Sequence, residues 1–154
     1  MILTGAFMMA ASAGFAQVAV DLGLPSGTKW ADRNVGASSP TAYGDYFAWG
    51  ETQSKVSYGK GTYKYYNASS KEYVNIGDDI AGTRYDVARA KWGGSWRMPT
   101  KAQFKELVDK CKREWTTVNG VKGYRFTGPN GKSIFLPAAG YRYGTSLYGT
   151  GSYG

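Results

Sequence analysis

The sequence contains no histidine and a single cysteine, Cys111. Without histidine the chain has no Ser-His-Asp or Cys-His catalytic arrangement and no histidine-ligated metal site. One cysteine cannot form an internal disulfide, so the fold must depend on its hydrophobic core. We therefore predict a protein that is not an enzyme and that holds no metal and no cofactor.

Long hydrophobic runs are also scarce. Residues 1–16 (MILTGAFMMAASAGFA) are apolar or small, but a membrane-spanning helix needs about 20 apolar residues. The run ends with Gly14 and Ala16, which suit the −3 and −1 positions of a signal-peptidase site. We predict a signal peptide at 1–16 that lacks its basic n-region, and a mature domain at 17–154. The alternative is a buried first strand or helix.

This segment predicts export to the cell surface, the periplasm or the medium. Gln17 follows the predicted cleavage site, where a lipoprotein would have cysteine, so no lipid anchor is expected. After cleavage we expect no stable membrane insertion.

The charge is unbalanced, with 19 Lys and Arg against 11 Asp and Glu and a net charge of +8. Such a balance can indicate nucleic acid, an anionic membrane surface or acidic glycans as partners. The basic residues are scattered without a dense run, which favours a solvated surface. A specific polyanion footprint is the alternative, and no nucleic-acid partner is predicted.

Glycine and tyrosine are abundant instead, at 22 and 13 residues. They indicate many turns and short strands with amphipathic rings at the surface. We predict a long surface excursion over 52–76. The predicted strands are 18–22, 29–31, 43–51, 63–66, 115–118, 121–127 and 133–137, with Asn119-Gly120 as a hairpin turn.

Two helices are predicted, a short one over 86–92 and a second that begins after Thr100. Gln103, three residues after Thr100, completes a capping box. The apolar positions of the second helix are Phe104, Leu107, Val108, Cys111 and Trp115. Cys111 would lie on this buried stripe, so a core role is favoured over a reactive one.

Several segments together resemble a known family. They are 20–31 (VDLGLPSGTKWA), 34–37 (NVGA), 44–51 (GDYFAWGE), 92–100 (WGGSWRMPT), 128–131 (GPNG) and 134–142 (IFLPAAGYR). This pattern resembles the major paralogous (FISUMP) domain proteins exported by Gram-negative gut-type bacteria. Those proteins are similar to the C-type-lectin-like fold shared with formylglycine-generating enzymes.

The resemblance implies an α+β, C-type-lectin-like fold in which two short helices pack on small antiparallel sheets with long loops. Some properties of these families are not expected in this chain. The paired cysteines of the formylglycine-type oxidase are absent, and Gly128-Pro129-Asn130 lacks the carboxylate of the calcium-sugar motif of true C-type lectins. In the family, the segment 137–142 is normally followed by a Trp-Ser-Ser stretch and further strands. We therefore expect the domain to be incomplete, a fragment without its carboxyl-terminal strands.

Acidic residues suggest two further sites. Asp78 and Asp79 could contribute to a calcium site, and Asp45 with Glu51 could form a hydrolytic carboxylate pair. No calcium-loop spacing accompanies the first pair, so solvated loop charges are favoured. Capping or turn roles are favoured for the second pair.

The carboxyl-terminal segment holds the candidate ligand-binding residues. Tyrosine provides rigid contact area, while serine and glycine provide adaptable polar contacts, which is the composition of binding loops. The alternative is that these tyrosines cover a small core. The candidates are Tyr141, Arg142, Tyr143, Tyr148 and Tyr153. The predicted function is a non-catalytic recognition module for a glycan or a protein surface; the alternative is a structural component or spacer of a bacterial surface appendage or envelope assembly.

Overall fold

The computed structural model describes residues 16–152. Residues 1–15 of the predicted signal peptide and the candidate residue Tyr153 lie outside the described residues. Within 16–152 the chain forms an α+β fold with two short helices and small antiparallel sheets, as predicted. The helices are α1 (Val87–Trp92) and α2 (Lys101–Lys110). The strands are β1 (Ala19–Asp21), β2 (Lys29–Ala31), β3 (Tyr66–Asn67), β4 (Glu72–Tyr73), β5 (Lys112–Val118), β6 (Val121–Thr127), β7 (Ser133–Pro137), β8 (Tyr141–Tyr143) and β9 (Ser146–Tyr148).

The strands pair mainly with their sequence neighbours. β1 pairs with β2, β3 with β4, and β8 with β9, while β5, β6 and β7 form a three-stranded meander. The predicted hairpin at Asn119-Gly120 is confirmed, with Val118 opposite Val121. Asn119 adopts a φ of 49°, the left-handed value that a two-residue hairpin turn requires.

The hydrophobic core lies where the β1–β2 hairpin and α2 meet the meander. Its buried members are Leu22, Leu24, Leu107, Cys111, Phe126 and Ile134. Around it, Trp30 and Phe104 meet edge to face with ring centroids 6.2 Å apart. The predicted core position of Cys111 is confirmed, and burial raises the pKa of its thiol above the ordinary value. A protonated, buried thiol is a poor nucleophile.

The predicted start of the second helix is confirmed, and the first helix begins at Val87, one residue after its predicted start. Thr100 accepts a hydrogen bond from the Gln103 amide, and the Gln103 side chain accepts one from the Thr100 amide. The predicted apolar stripe was wrong at its carboxyl-terminal end, however. α2 ends at Lys110 and Trp115 lies in β5, because the chain turns to an extended conformation at Cys111, whose φ and ψ are −100° and 145°.

Asp86, the amino-terminal cap of α1, is fully buried. One carboxylate oxygen accepts a hydrogen bond from the Arg89 amide at 3.0 Å. The other accepts from the amides of Gly82 at 2.7 Å and Met98 at 2.9 Å. One side chain therefore holds together the loop before α1, its first turn and the segment that leads to α2.

The aromatic alternation over 43–51 predicted a strand, and that prediction was wrong. The segment runs as irregular chain, and no described strand pairs with it. Gly50 shows why the extended path ends there: its φ is 72°, and an added Cβ would lie 2.2 Å from Ile76 Cδ1. The alternating rings therefore face different neighbours instead of the two sides of a sheet.

Two smaller predictions also differ from the structure. In place of a strand over 63–66, a 3₁₀ helix at Lys60–Thr62 precedes the two-residue strand β3. The tail after residue 138, where no strand was predicted, contains the β8–β9 hairpin. Across residues 16–152, every helix is too short or too polar to cross a membrane.

Substitution of Asp86 tests its role. Asp86→Asn replaces one accepting oxygen with an amide that donates, so at least one buried backbone N–H loses its partner. We expect the free energy of unfolding to fall by about 2–4 kcal/mol, measured by urea denaturation. Asp78→Asn makes the same chemical change on an exposed loop and should lower the free energy of unfolding by at most about 0.5 kcal/mol. Equal unfolding midpoints for the two variants would contradict this role.

Candidate functional site

An open cleft of about 600 Å³ lies between the surface excursion and the start of the β8–β9 hairpin. Most of its lining is aromatic, with three cationic side chains among the rings and no carboxylate. The lining residues are Tyr46, Phe47, Ala48, Trp49, Lys55, Tyr58, Gly59, Lys60, Tyr63, Tyr73, Gly140, Tyr141, Arg142 and Tyr143.

Tyr58 joins the two walls of the cleft. Its amide donates to the Gly144 carbonyl at 2.8 Å, and the Gly144 amide donates back at 2.7 Å. The Tyr58 hydroxyl donates to the Tyr46 carbonyl and accepts from the Lys55 amide at 3.1 Å. Because this side chain is buried, its hydroxyl needs both partners. The excursion and the hairpin are thereby fixed relative to each other.

A second hydroxyl connects the same two walls. Tyr46 donates to the Ala139 carbonyl at 2.6 Å, and the guanidinium of Arg142 lies 5.2 Å from the centre of its ring. Burial raises the pKa of the Tyr46 hydroxyl, and the Arg142 charge opposes that rise in part. The hydroxyl therefore stays protonated at neutral pH and remains a donor.

Gly140 allows the hairpin to approach the body of the domain. Its φ is 70°, and an added Cβ would lie 2.0 Å from the Tyr148 carbonyl oxygen. Directly after it, Tyr141 pairs with Tyr148 across β8 and β9, and their rings stack at 5.7 Å with an interplanar angle of 24°. This stack supports the outer end of the cleft.

The three cations are held differently. Lys55 forms an ion pair with Glu51 at 2.8 Å. Lys60 lies 4.6 Å from the centre of the Tyr66 ring, and a hydrogen bond with the Tyr66 hydroxyl raises the pKa of its ammonium group. Arg142 lies over Tyr46, as described. Within residues 16–152, neither Lys60 nor Arg142 has an acidic partner.

The structure brings three of the predicted candidates together in this cleft: Tyr141, Arg142 and Tyr143. Tyr148 lies behind Tyr141 and outside the lining, where it supports the ring. Tyr153 lies outside the described residues.

Sequence reasoning missed the opposite wall. Its residues come from the excursion over 52–76 and from the segment before it, which contribute Tyr46, Trp49, Tyr58, Tyr63 and Tyr73. The only indication in the sequence was the high density of tyrosine in the excursion. These tyrosines follow no regular spacing, and no local pattern indicates that they face the carboxyl-terminal hairpin.

Two of the acidic candidates, Glu51 and Asp79, have local roles in the structure. Glu51 accepts from the ammonium of Lys55 and from the Lys64 amide at 2.9 Å. Asp79 accepts from the Ala81 amide, which closes a turn. Among residues 16–152, no group of three or more acidic or cysteine side chains is placed to hold a metal ion.

No family model, curated protein or solved structure matches this chain.

Two glycines of the cleft provide a matched test of its geometry. Gly140→Ala places a Cβ against the Tyr148 carbonyl in a left-handed conformation, so we expect a loss of about 1–3 kcal/mol in the free energy of unfolding. Gly59→Ala is the control, because Gly59 has an extended backbone and no atom within 4 Å of the added Cβ. Urea denaturation measures both. A Gly140→Ala variant as stable as Gly59→Ala would show that the hairpin tolerates a different turn.

Proposed function

We propose that this chain is an exported, non-catalytic recognition module that binds a glycan or a protein surface in the aromatic cleft. The observation that carries the proposal is the position of Tyr141, Arg142 and Tyr143, which form one wall of an open cleft whose opposite wall is also aromatic. Binding sites are commonly concave, with many apolar and aromatic contacts and a few placed polar groups.

The exposed ring faces support a binding role over a purely structural one. Tyr143 is 70% exposed and Tyr141 54% exposed, although both belong to a paired strand. A tyrosine that covers a core buries its ring and presents only its hydroxyl. Tyr58 is buried together with its hydroxyl, whereas Tyr141 and Tyr143 leave broad apolar faces beside charged groups.

The proposed architecture is C-type-lectin-like, of the FISUMP type. Its support is the resemblance of the sequence, together with the observed α+β fold of two short helices, small antiparallel sheets and long connecting loops. Of the resembling segments, 20–31 lies in the first hairpin, and 92–100 runs from the end of α1 to the cap of α2. Export rests on the composition of residues 1–16.

The proposal contains no catalytic step. The chain has no histidine, and the Glu51 carboxylate is bound to Lys55 and to the Lys64 amide. A recognition function needs only contact area and placed polar groups, both of which the cleft contains.

Binding to a glycan array and a panel of surface proteins tests the proposal. We expect retention of at least one ligand, and the double variant Tyr141→Ala/Tyr143→Ala should weaken that binding at least about tenfold. Trp115→Ala is the control, because Trp115 is an exposed ring on β5, away from the cleft. Equal losses for the control would contradict the site. Co-purification with an appendage, without any soluble ligand, would favour the structural alternative.

A further inference from the structure

We infer that the aromatic cleft selects an acidic carbohydrate, with sugar rings on its tyrosines and a carboxylate or sulfate between Lys60 and Arg142. This inference rests on the proposed recognition function and adds the chemical class of the ligand.

The lining of the cleft is positively charged. It contains Lys55, Lys60 and Arg142 and no acidic side chain. Glu51 neutralises Lys55, whose ammonium also donates to the Thr62 carbonyl at 2.8 Å. Two cations therefore remain without an acidic partner within the described residues. They lie in a concave surface, which strengthens their field relative to an open one.

Both cations are held in place by contacts within the protein. Lys60 lies 4.6 Å from the Tyr66 ring centre and 5.9 Å from that of Tyr73. Arg142 lies 5.2 Å from the Tyr46 ring centre, and its guanidinium also donates to the Thr145 carbonyl at 3.4 Å. Ring contacts of this kind leave the N–H groups able to donate outward. Because these two side chains are already ordered, binding of an anion between them costs little side-chain entropy.

Exposed aromatic rings form the surface of the cleft beside the cations. Tyr73 and Trp49 are 61% and 47% exposed, in addition to Tyr141 and Tyr143 on the other wall. The C–H faces of a pyranose ring are flat and apolar and stack on such rings, while its hydroxyls match groups that both donate and accept, as tyrosine hydroxyls do.

The rings of this wall are also anchored. The Trp49 indole N–H donates to the Gly77 carbonyl at 3.3 Å, and the Tyr63 hydroxyl donates to the Trp49 carbonyl at 2.9 Å. Tyr66 and Tyr73 pack at 5.1 Å between ring centres across β3 and β4. A stacking surface that is rigid before binding costs less to occupy than one that must be ordered.

A single-stranded nucleic acid also stacks on aromatic rings, but it carries one phosphate for each base. Grooves that hold it follow the backbone with basic residues over several nucleotides. Two unpaired cations match a ligand with sparse charge, such as a uronate- or sulfate-bearing glycan. An acidic peptide is the competing ligand, and the calorimetry described next distinguishes it from an acidic glycan.

Titration calorimetry of the full chain tests the inference with paired probes. The probes are an oligogalacturonate and its carboxyl-reduced neutral form, a sulfated galactan oligosaccharide and its desulfated form, and poly-glutamate of matched charge. We expect at least one acidic glycan to bind about tenfold or more tightly than its neutral partner. Which pair shows the difference distinguishes carboxylate from sulfate. Affinity should fall as the salt concentration rises.

Variants assign that difference to the two cations. Lys60→Gln and Arg142→Gln should each weaken binding of the acidic glycan about tenfold and leave any binding of its neutral partner unchanged. Arg142→Lys, which keeps the charge, should retain most of the affinity. Lys64→Gln is the matched control, because Lys64 also lies over a tyrosine ring, 5.6 Å from the centre of Tyr65, but outside the lining.

Three outcomes would overturn the inference. Equal binding of acidic and neutral forms, lost in Tyr141→Ala/Tyr143→Ala, would refute charge selection and leave the recognition function standing. Poly-glutamate binding as tightly as the glycans would assign the cleft to acidic peptides. If no acidic glycan binds but the arrays retain another ligand, only the inference is refuted. If the arrays retain no ligand at all, the recognition function is refuted as well.

Discussion

The cleft exists because hydrogen bonds at Tyr58 and at Tyr46 join two segments that are distant in sequence. Two backbone hydrogen bonds connect Tyr58 with Gly144, and the Tyr58 hydroxyl connects the same point to Tyr46 and Lys55. Bringing distant segments together costs chain entropy. Here that cost is offset by paired polar groups within a buried environment, where an unpaired group would be costly. Without this junction, the aromatic residues of the excursion and of the hairpin would belong to two separate surfaces.

The two sides of the domain are stabilised by different interactions. On one side, Leu22, Leu107 and Phe126 are nearly or fully buried in a conventional apolar core. On the cleft side, the hydroxyls of Tyr46 and Tyr58 donate to backbone carbonyls, and Arg142 lies over the Tyr46 ring. Segments with few buried apolar contacts open locally at a lower free energy than core elements do. A ligand that bridges the two walls would therefore stabilise a junction that depends on hydrogen bonds.

Local signals in the sequence predicted local structure well. The capping box at Thr100 and the turn at Asn119-Gly120 specify their elements through neighbouring atoms, and both are confirmed. The alternation of aromatic residues over 43–51 misled, because a period of two indicates a strand only where a partner strand is present. The β8–β9 hairpin was not predicted, because no hydrophobic pattern marks its strands. Its side chains are largely exposed, and its position depends on Gly140 and on a bridge to Tyr58 that no local pattern encodes.

The sequence allowed two interpretations of the tyrosines: they cover a small core, or they form a contact surface for a ligand. In the structure, some tyrosines have the first position and others the second. Tyr46 and Tyr58 use their hydroxyls on backbone groups and bury much of their rings, so they build the cleft. Tyr73, Tyr141 and Tyr143 leave most of their ring surface in solvent beside the cations. The exposed rings have value for recognition only because the buried ones fix the two walls. A low-entropy aromatic side chain suits both tasks, which explains why one residue type is so abundant in a chain with so small a core.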